Sequence, residues 1–215
     1  MKKIFKPLLV LLIPLLAFSI SACAEQYTEG NQYSKISETP SKKKEVREYF
    51  SVYCGHCFKF EPLMHDVKKS LPEGVSFERN HVDFLRTASP KIQQMISKAI
   101  VVAEQFENGD KLIGAIFNYI HVQKAVITSE KDVRNIFVLN SADGDKFDKL
   151  MKSFSVNSQA KMMKKYQDTM SEKRVLTGVP TIIINGKYKI NNAKLDQSNY
   201  EQDYQSLVKY LLALD

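Results

Sequence analysis

The chain has 215 residues, 44% apolar and 26% charged, which excludes a disordered polymer and suits one domain, or a small domain with a large insertion. The formal net charge is +7, but Lys2, Lys3 and Lys6 crowd the N-terminus, and without them 28 basic residues face 24 acidic ones. With no dense basic cluster interleaved with aromatics, nucleic acid is not an expected partner.

Residues 1–24 read as a targeting segment. The three lysines form a charged region, and Leu8 to Ile20 is an apolar stretch of 13 residues, broken by Pro14 and Ser19. Ser21, Ala22 and Ala24 follow as small residues. This is a secretory pattern, and the apolar part is too short for a membrane span. Two processing patterns fit. Ala22-Cys23-Ala24 has an A-x-A look, which would start the mature chain at Glu25. Ile20-Ser21-Ala22-Cys23 has the look of a bacterial lipoprotein box, which would lipidate Cys23 and tether the chain to a membrane surface.

Glu25 to Ser41 is polar and reads as an irregular arm with one short strand near Tyr33 to Ile36. The run Lys42-Lys43-Lys44 reads as a solvated loop. Glu45 to Tyr53 is aromatic and β-branched, a strand that stops at Cys54. From Gly55 the apolar spacing turns helical through Phe58, Leu63, Val67 and Leu71, with a kink expected at Pro62 and a stop at Leu71-Pro72-Glu73-Gly74. Val75 to Val82 reads as a second strand. A helical region runs from about Ser89 to Lys173, with breaks at Asn108-Gly109-Asp110, Thr128-Ser129 and Asp143-Gly144-Asp145. After Gly178, Thr181 to Ile184 and Lys187 to Ile190 flank Asn185-Gly186, a strong hairpin signal because both turn residues tolerate positive φ. Tyr200 to Leu214 closes the chain as an amphipathic helix. The order is β–α–β, a block of four or five helices, then β–β–α.

There are three cysteines, and Cys23 belongs to the processing site. Cys54 and Cys57 remain, three residues apart. A loop that small removes little chain entropy, so chemistry explains the pair better than stability. Cys54-Gly55-His56-Cys57 follows a strand and opens a helix. The first N–H groups of a helix lack partners and the macrodipole is positive there, so a thiolate at Cys54 is favoured, with His56 adding charge or a hydrogen bond. Cys54 is the expected attacking and leaving sulfur, and Cys57, more shielded, the resolving one. A zinc site would need two more ligands, and His65, His81 and His121 show no paired spacing. Those histidines read as surface or packed residues. His81, on a strand, is placed to line the core. Glu48 shares a face with Val46, Phe50 and Val52, where a carboxylate is costly unless paired.

The element order with its C-x-x-C resembles the thioredoxin fold, and the inserted helices narrow the resemblance to the DsbA-type dithiol oxidases of the bacterial periplasm. It is carried by Gln26-Tyr27, Gly30-x-Gln32-Tyr33, Glu48-Tyr49-Phe50-Ser51, Leu71-Pro72-Glu73-Gly74-Val75, His81-Val82, Gly178-Val179-Pro180 and Asn185-Gly186-Lys187-Tyr188. The resemblance implies an α/β thioredoxin-like domain of residues 25–86 and 174–215 with a helical domain, 87–173, inserted. It implies a cis peptide at Val179-Pro180 against the cysteines, where the Val179 backbone would bind an extended substrate. It also implies a charged cluster of Glu48, Glu61 and Arg79 beneath them that tunes their poise. The implied activity is disulfide donation to newly exported, cysteine-containing proteins, by a monomer that needs no cofactor beyond its own disulfide. Reoxidation would fall to a quinone-linked membrane enzyme of DsbB type. One residue departs from the pattern. Gly55 stands where the best-known members carry proline, and Gly-His is the pair of eukaryotic disulfide isomerases. Reference potentials of about −120 mV for a DsbA and about −180 mV for the isomerase imply a milder oxidant here. A disulfide isomerase or reductase, and a peptide-binding holdase using an apolar groove near Pro180, are the competing readings. An isomerase of the envelope usually adds a dimerisation domain, for which the arm before Glu45 has no room.

Overall fold

The strand that leads toward the cysteines is buried on both faces. In the computed structural model, which describes residues 27–214, β2 (Glu45–Phe50) is covered from Val46 onward. The targeting segment, Cys23 and Gln26 lie outside the described residues. β2 pairs in parallel with β3 (Ser76–His81) and antiparallel with β4 (Thr181–Ile184). Beyond β4 lie β5 (Tyr188–Ile190) and the short β1 (Tyr33–Lys35), giving the order β1-β5-β4-β2-β3.

Registry decides what each face meets. Val46 lies opposite Ile184 and Glu48 opposite Ile182. Val46, Ile182 and Ile184 pack with Leu63, Met64 and Val67 of α1 (Gly55–Ser70) and with Tyr204, Leu207 and Leu211 of α7 (Tyr200–Ala213). On the other face Tyr49 and Ile183 meet Val82 and Leu176. Burial of such a side chain contributes roughly 1.5–3 kcal/mol, so a one-residue slip of β2 would exchange both faces at once.

Between β3 and β4 run five helices, α2 (Pro90–Ala103), α3 (Gly109–His121), α4 (Glu130–Leu139), α5 (Gly144–Lys152) and α6 (Phe154–Glu172). Their shared core, with Ile100, Leu112, Ile116, Phe117, Phe137 and Phe147 fully buried, continues into Phe50, Val52 and Cys57. The three expected breaks fall where Gly109, Ser129 and Gly144 stand. A side chain at Gly109 would run into the Ala103 carbonyl. A fourth break was not expected. Ser153 alone separates α5 from α6, donating its N–H to the Leu150 carbonyl and accepting from the Val156 N–H at 3.2 Å.

The expected strand to Tyr53 ends three residues sooner, because the Ser51 carbonyl turns to accept the Cys54 N–H at 3.0 Å. The expected strand from Lys187 begins one residue later, since the Lys187 N–H closes the Asn185-Gly186 turn on the Ile184 carbonyl at 2.9 Å. Helix α1 runs on through Pro62.

Asn185 and Gly186 both have positive φ, 51° and 62°, the signature of a two-residue hairpin turn that matches strand twist. Gly186→Ala is expected to destabilise the protein by about 1 kcal/mol, read as a lower urea midpoint at unchanged slope.

Candidate active site

Cys54 is the N-cap residue of α1. Its backbone is extended and its Sγ accepts the Cys57 N–H at 3.2 Å, satisfying a donor that a helix start leaves open. Cys54 is half-buried and Cys57 fully buried. The Cys54 thiol is drawn down to about 6, first by a hydrogen bond from the Cys57 side chain, against burial, then by the backbone N–H groups of Cys57 and His56 and by the charge of His56. Cys57 is driven the other way, by the same side-chain bond and by burial, with the Ser51 backbone N–H opposing. One sulfur is half-buried and easily ionised and the other is hidden and keeps its proton. Gly55 and His56 are both exposed.

The second wall comes from the distant end of the chain. Val179-Pro180 is a cis peptide, and the Cys54 thiol donates to the Val179 carbonyl at 3.5 Å. The Thr181 hydroxyl closes this loop on the Gly178 carbonyl at 2.8 Å. Beside Pro180 lies an open groove of about 460 Å³ whose lining includes Asn31, Ser34, Lys189, Asn191 and Asn192.

Glu48, Glu61 and Arg79 also come together. Glu48 and Arg79 are register partners on β2 and β3. Arg79 Nη2 meets Glu61 Oε1 at 2.6 Å, with 2% of the Arg79 side chain exposed. Glu48 is fully buried, and among the described residues neither of its oxygens has a hydrogen-bond partner. Burial pushes it up to about 8; Arg79 opposes, while Glu61 and Cys54 add to the rise. Burial therefore favours the protonated form of Glu48 at neutral pH, and it is the ionised form that would push Cys57 further up.

Sequence reasoning assigned no role here to Ser51, His81 or His121. His121 Nε2–H donates to the Val52 carbonyl at 2.8 Å and its ring lies flat on Phe58 with centroids 5.2 Å apart. His81 is buried between Ser51 and Ser97. No spacing marks these residues; only the packing of α2 and α3 brings Ser97 and His121 to the cysteine turn. Among the described residues no group of three metal-ligating side chains gathers.

The DSBA-like thioredoxin domain family matches residues 45–204. The thiol:disulfide interchange protein DsbA of Pectobacterium carotovorum is 34% identical over 203 residues, covering 92% of this chain and 93% of that protein. That of Escherichia coli K12 is 35% identical, with 91% and 93% covered. Among solved structures, a DsbA of Proteus mirabilis bearing a Cys-to-Ser change, with the non-covalently bound peptide PWATCDS, superposes with a TM-score of 0.75. It is 29% identical and covers 87% of this chain and 98% of that one.

Two outcomes follow from the shifted groups. In the reduced protein, thiolate absorbance at 240 nm and alkylation of Cys54 should rise with a midpoint near pH 6, while Cys57 stays unreactive. Because the folded value lies below the ordinary 9.0, the stabilisation of the reduced form is complete above about pH 9 and is lost as pH falls through about 6. Glu48 has the opposite sign. Folded protein keeps a proton that unfolded chain releases between its ordinary 4.5 and about 8, so stability falls as pH rises through that window. In the oxidised protein, Glu48→Gln should therefore gain stability over the parent at pH 8 relative to pH 5, on the order of 1–3 kcal/mol, measured by urea unfolding.

Proposed function

The chain belongs to the DsbA-like thioredoxin domain family and is a disulfide oxidoreductase, and we propose that it donates the Cys54–Cys57 disulfide to newly exported proteins. The observation that carries this reading is the asymmetry of the pair. Cys54 is the helix N-cap, with a thiol near 6, beside the Val179 carbonyl, and Cys57 is wholly buried behind it.

The exchange runs in two displacements. A substrate thiolate attacks Cys54 Sγ, the Cys54–Cys57 bond breaks, and the Cys57 sulfur leaves and takes up a proton. A second substrate thiolate then attacks the substrate sulfur of the mixed disulfide and releases Cys54 as a thiolate. The substrate loses two electrons, which the cysteine pair gains. A sulfur with a low pKa is a good leaving group, so the second step favours disulfide donation. The backbone of Val179 and the groove beside Pro180 would hold the substrate extended, and the buried, protonated Glu48, with Glu61 and Arg79, would set the charge that Cys57 meets. The redox group is the protein's own disulfide. A quinone-linked membrane enzyme of DsbB type would restore it, and the protein would act as a monomer.

The targeting segment supports a periplasmic location, either free or tethered through a lipid on Cys23. No helix among the described residues is long and apolar enough to cross a membrane. Gly55 favours a milder oxidant than the Pro-His members.

Equilibration with glutathione, read by thiol alkylation, should give a potential between about −180 and −120 mV, and a value near −270 mV, that of thioredoxin, would overturn the donor reading. Cys57→Ser should accumulate mixed disulfides through Cys54. Accumulation through Cys57 in Cys54→Ser, with none in the converse variant, would reverse the assigned roles.

A further inference from the structure

Three residues, Ser51, Val52 and Tyr53, precede the nucleophile in a turn that the sheet no longer holds. Ser51 is buried and used at every polar atom. Its N–H acts on the Cys57 sulfur, its carbonyl accepts the Cys54 N–H, and its hydroxyl accepts the Tyr53 N–H at 3.2 Å and faces His81 Nε2 at 3.4 Å. The directions can be assigned. The Ser97 hydroxyl donates to the Gln93 carbonyl at 3.1 Å, so its oxygen is free to accept from His81 Nδ1–H at 2.9 Å. That leaves a lone pair on Nε2 for the Ser51 hydroxyl to donate to. The line Ser51–His81–Ser97 therefore needs a neutral imidazole with its proton on Nδ1, and burial, which pushes His81 down to about 3, keeps it neutral.

From the other side His121 donates to the Val52 carbonyl at 2.8 Å. Both rings are themselves fixed, His81 edge-on to Phe50 at 5.6 Å and His121 stacked on Phe58 at 5.2 Å. Ser97 lies on α2 and His121 ends α3, so both braces run from the inserted helices to the cysteine turn. Cys54 is anchored by its own N–H on the Ser51 carbonyl, so where this turn lies decides how its sulfur meets the Cys57 N–H at 3.2 Å, and such a bond is worth most to an ionised acceptor.

We propose that His81 with Ser97, and His121, are positioning residues that clamp Ser51–Val52–Tyr53 and thereby favour the reduced, thiolate-holding state of the cysteine pair. This rests on the redox reading of Cys54 and Cys57 given above. Without either brace the turn relaxes, the donors drift from the sulfurs, and the protein becomes a weaker oxidant.

Four variants of the full folded chain test it. His121→Phe keeps the stack and loses the donor, and His121→Gln restores a donor. Ser97→Ala strips His81 of its acceptor, and Ser97→Thr restores it. His121 is half-buried and Ser97 lines a cavity of about 280 Å³, so neither change overpacks the core. Glutathione equilibrium constants and the 240 nm titration of Cys54 are the readouts, with thermal melts alongside. His121→Phe and Ser97→Ala should each weaken the oxidant by about threefold to tenfold and raise the Cys54 midpoint, while His121→Gln and Ser97→Thr stay within about twofold of the parent. If the first two variants melt earlier yet keep the parent's constant and midpoint, the braces are packing only and the proposal is wrong. If the parent itself exchanges no disulfide with glutathione, the redox reading falls, and this proposal with it.

Discussion

A sulfur atom stands where a helix usually puts an oxygen. Serine, threonine and aspartate are the common N-caps, and Ser89, Asp143 and Ser153 fill that role for α2, α5 and α6. In α1 the Cys54 sulfur accepts the Cys57 N–H. The bond is satisfied best when the sulfur is charged, so the helix start and the thiolate stabilise one another. The low pKa of Cys54 draws first on the hydrogen bond from the Cys57 side chain and then on this backbone bond, and Cys57 itself lies one turn inside, buried under the core that α2 and α3 share with Phe50 and Val52.

A second electrostatic element lies one layer deeper. Glu48 is buried on the inner strand β2 with one guanidinium beside it, and that guanidinium is already bonded to Glu61. A fully ionised Glu48 would be poorly compensated, so the proton stays. Replacing such a group with an apolar one would often stabilise a protein.

Much of this was legible in the sequence, where chemistry is local. Asn185-Gly186 announces its turn because few other pairs accept two positive φ values. The C-x-x-C announces its helix start because strand character stops at Cys54 and helical spacing begins at Gly55. Ser153 was invisible, since a serine between two amphipathic stretches carries no Gly or Pro signal and declares itself only by capping both helices. The end of β2 at Phe50 was hidden because Ser51-Val52-Tyr53 has strand composition, and a hydrogen bond from Cys54 overrides it. The cluster of Glu48, Glu61 and Arg79 came from resemblance, since nothing in their spacing joins residues of β2, α1 and β3. His81 and His121 look like lone packed histidines, and the Ser97 acceptor of the first and the bond of the second to the turn exist only once the inserted helices have closed over it.

The contact between Cys54 and the Val179 carbonyl joins positions 125 residues apart. A chain made from its N-terminus delivers the cysteines early and the Gly178-Val179-Pro180 loop late. Until β4 pairs with β2, the nucleophile has neither its second wall nor the groove beside Pro180. The catalytic surface is thus withheld from a growing chain by the order of its own segments. An unfinished molecule has a cysteine pair but neither the carbonyl of Val179 nor the cis turn at Pro180 beside it.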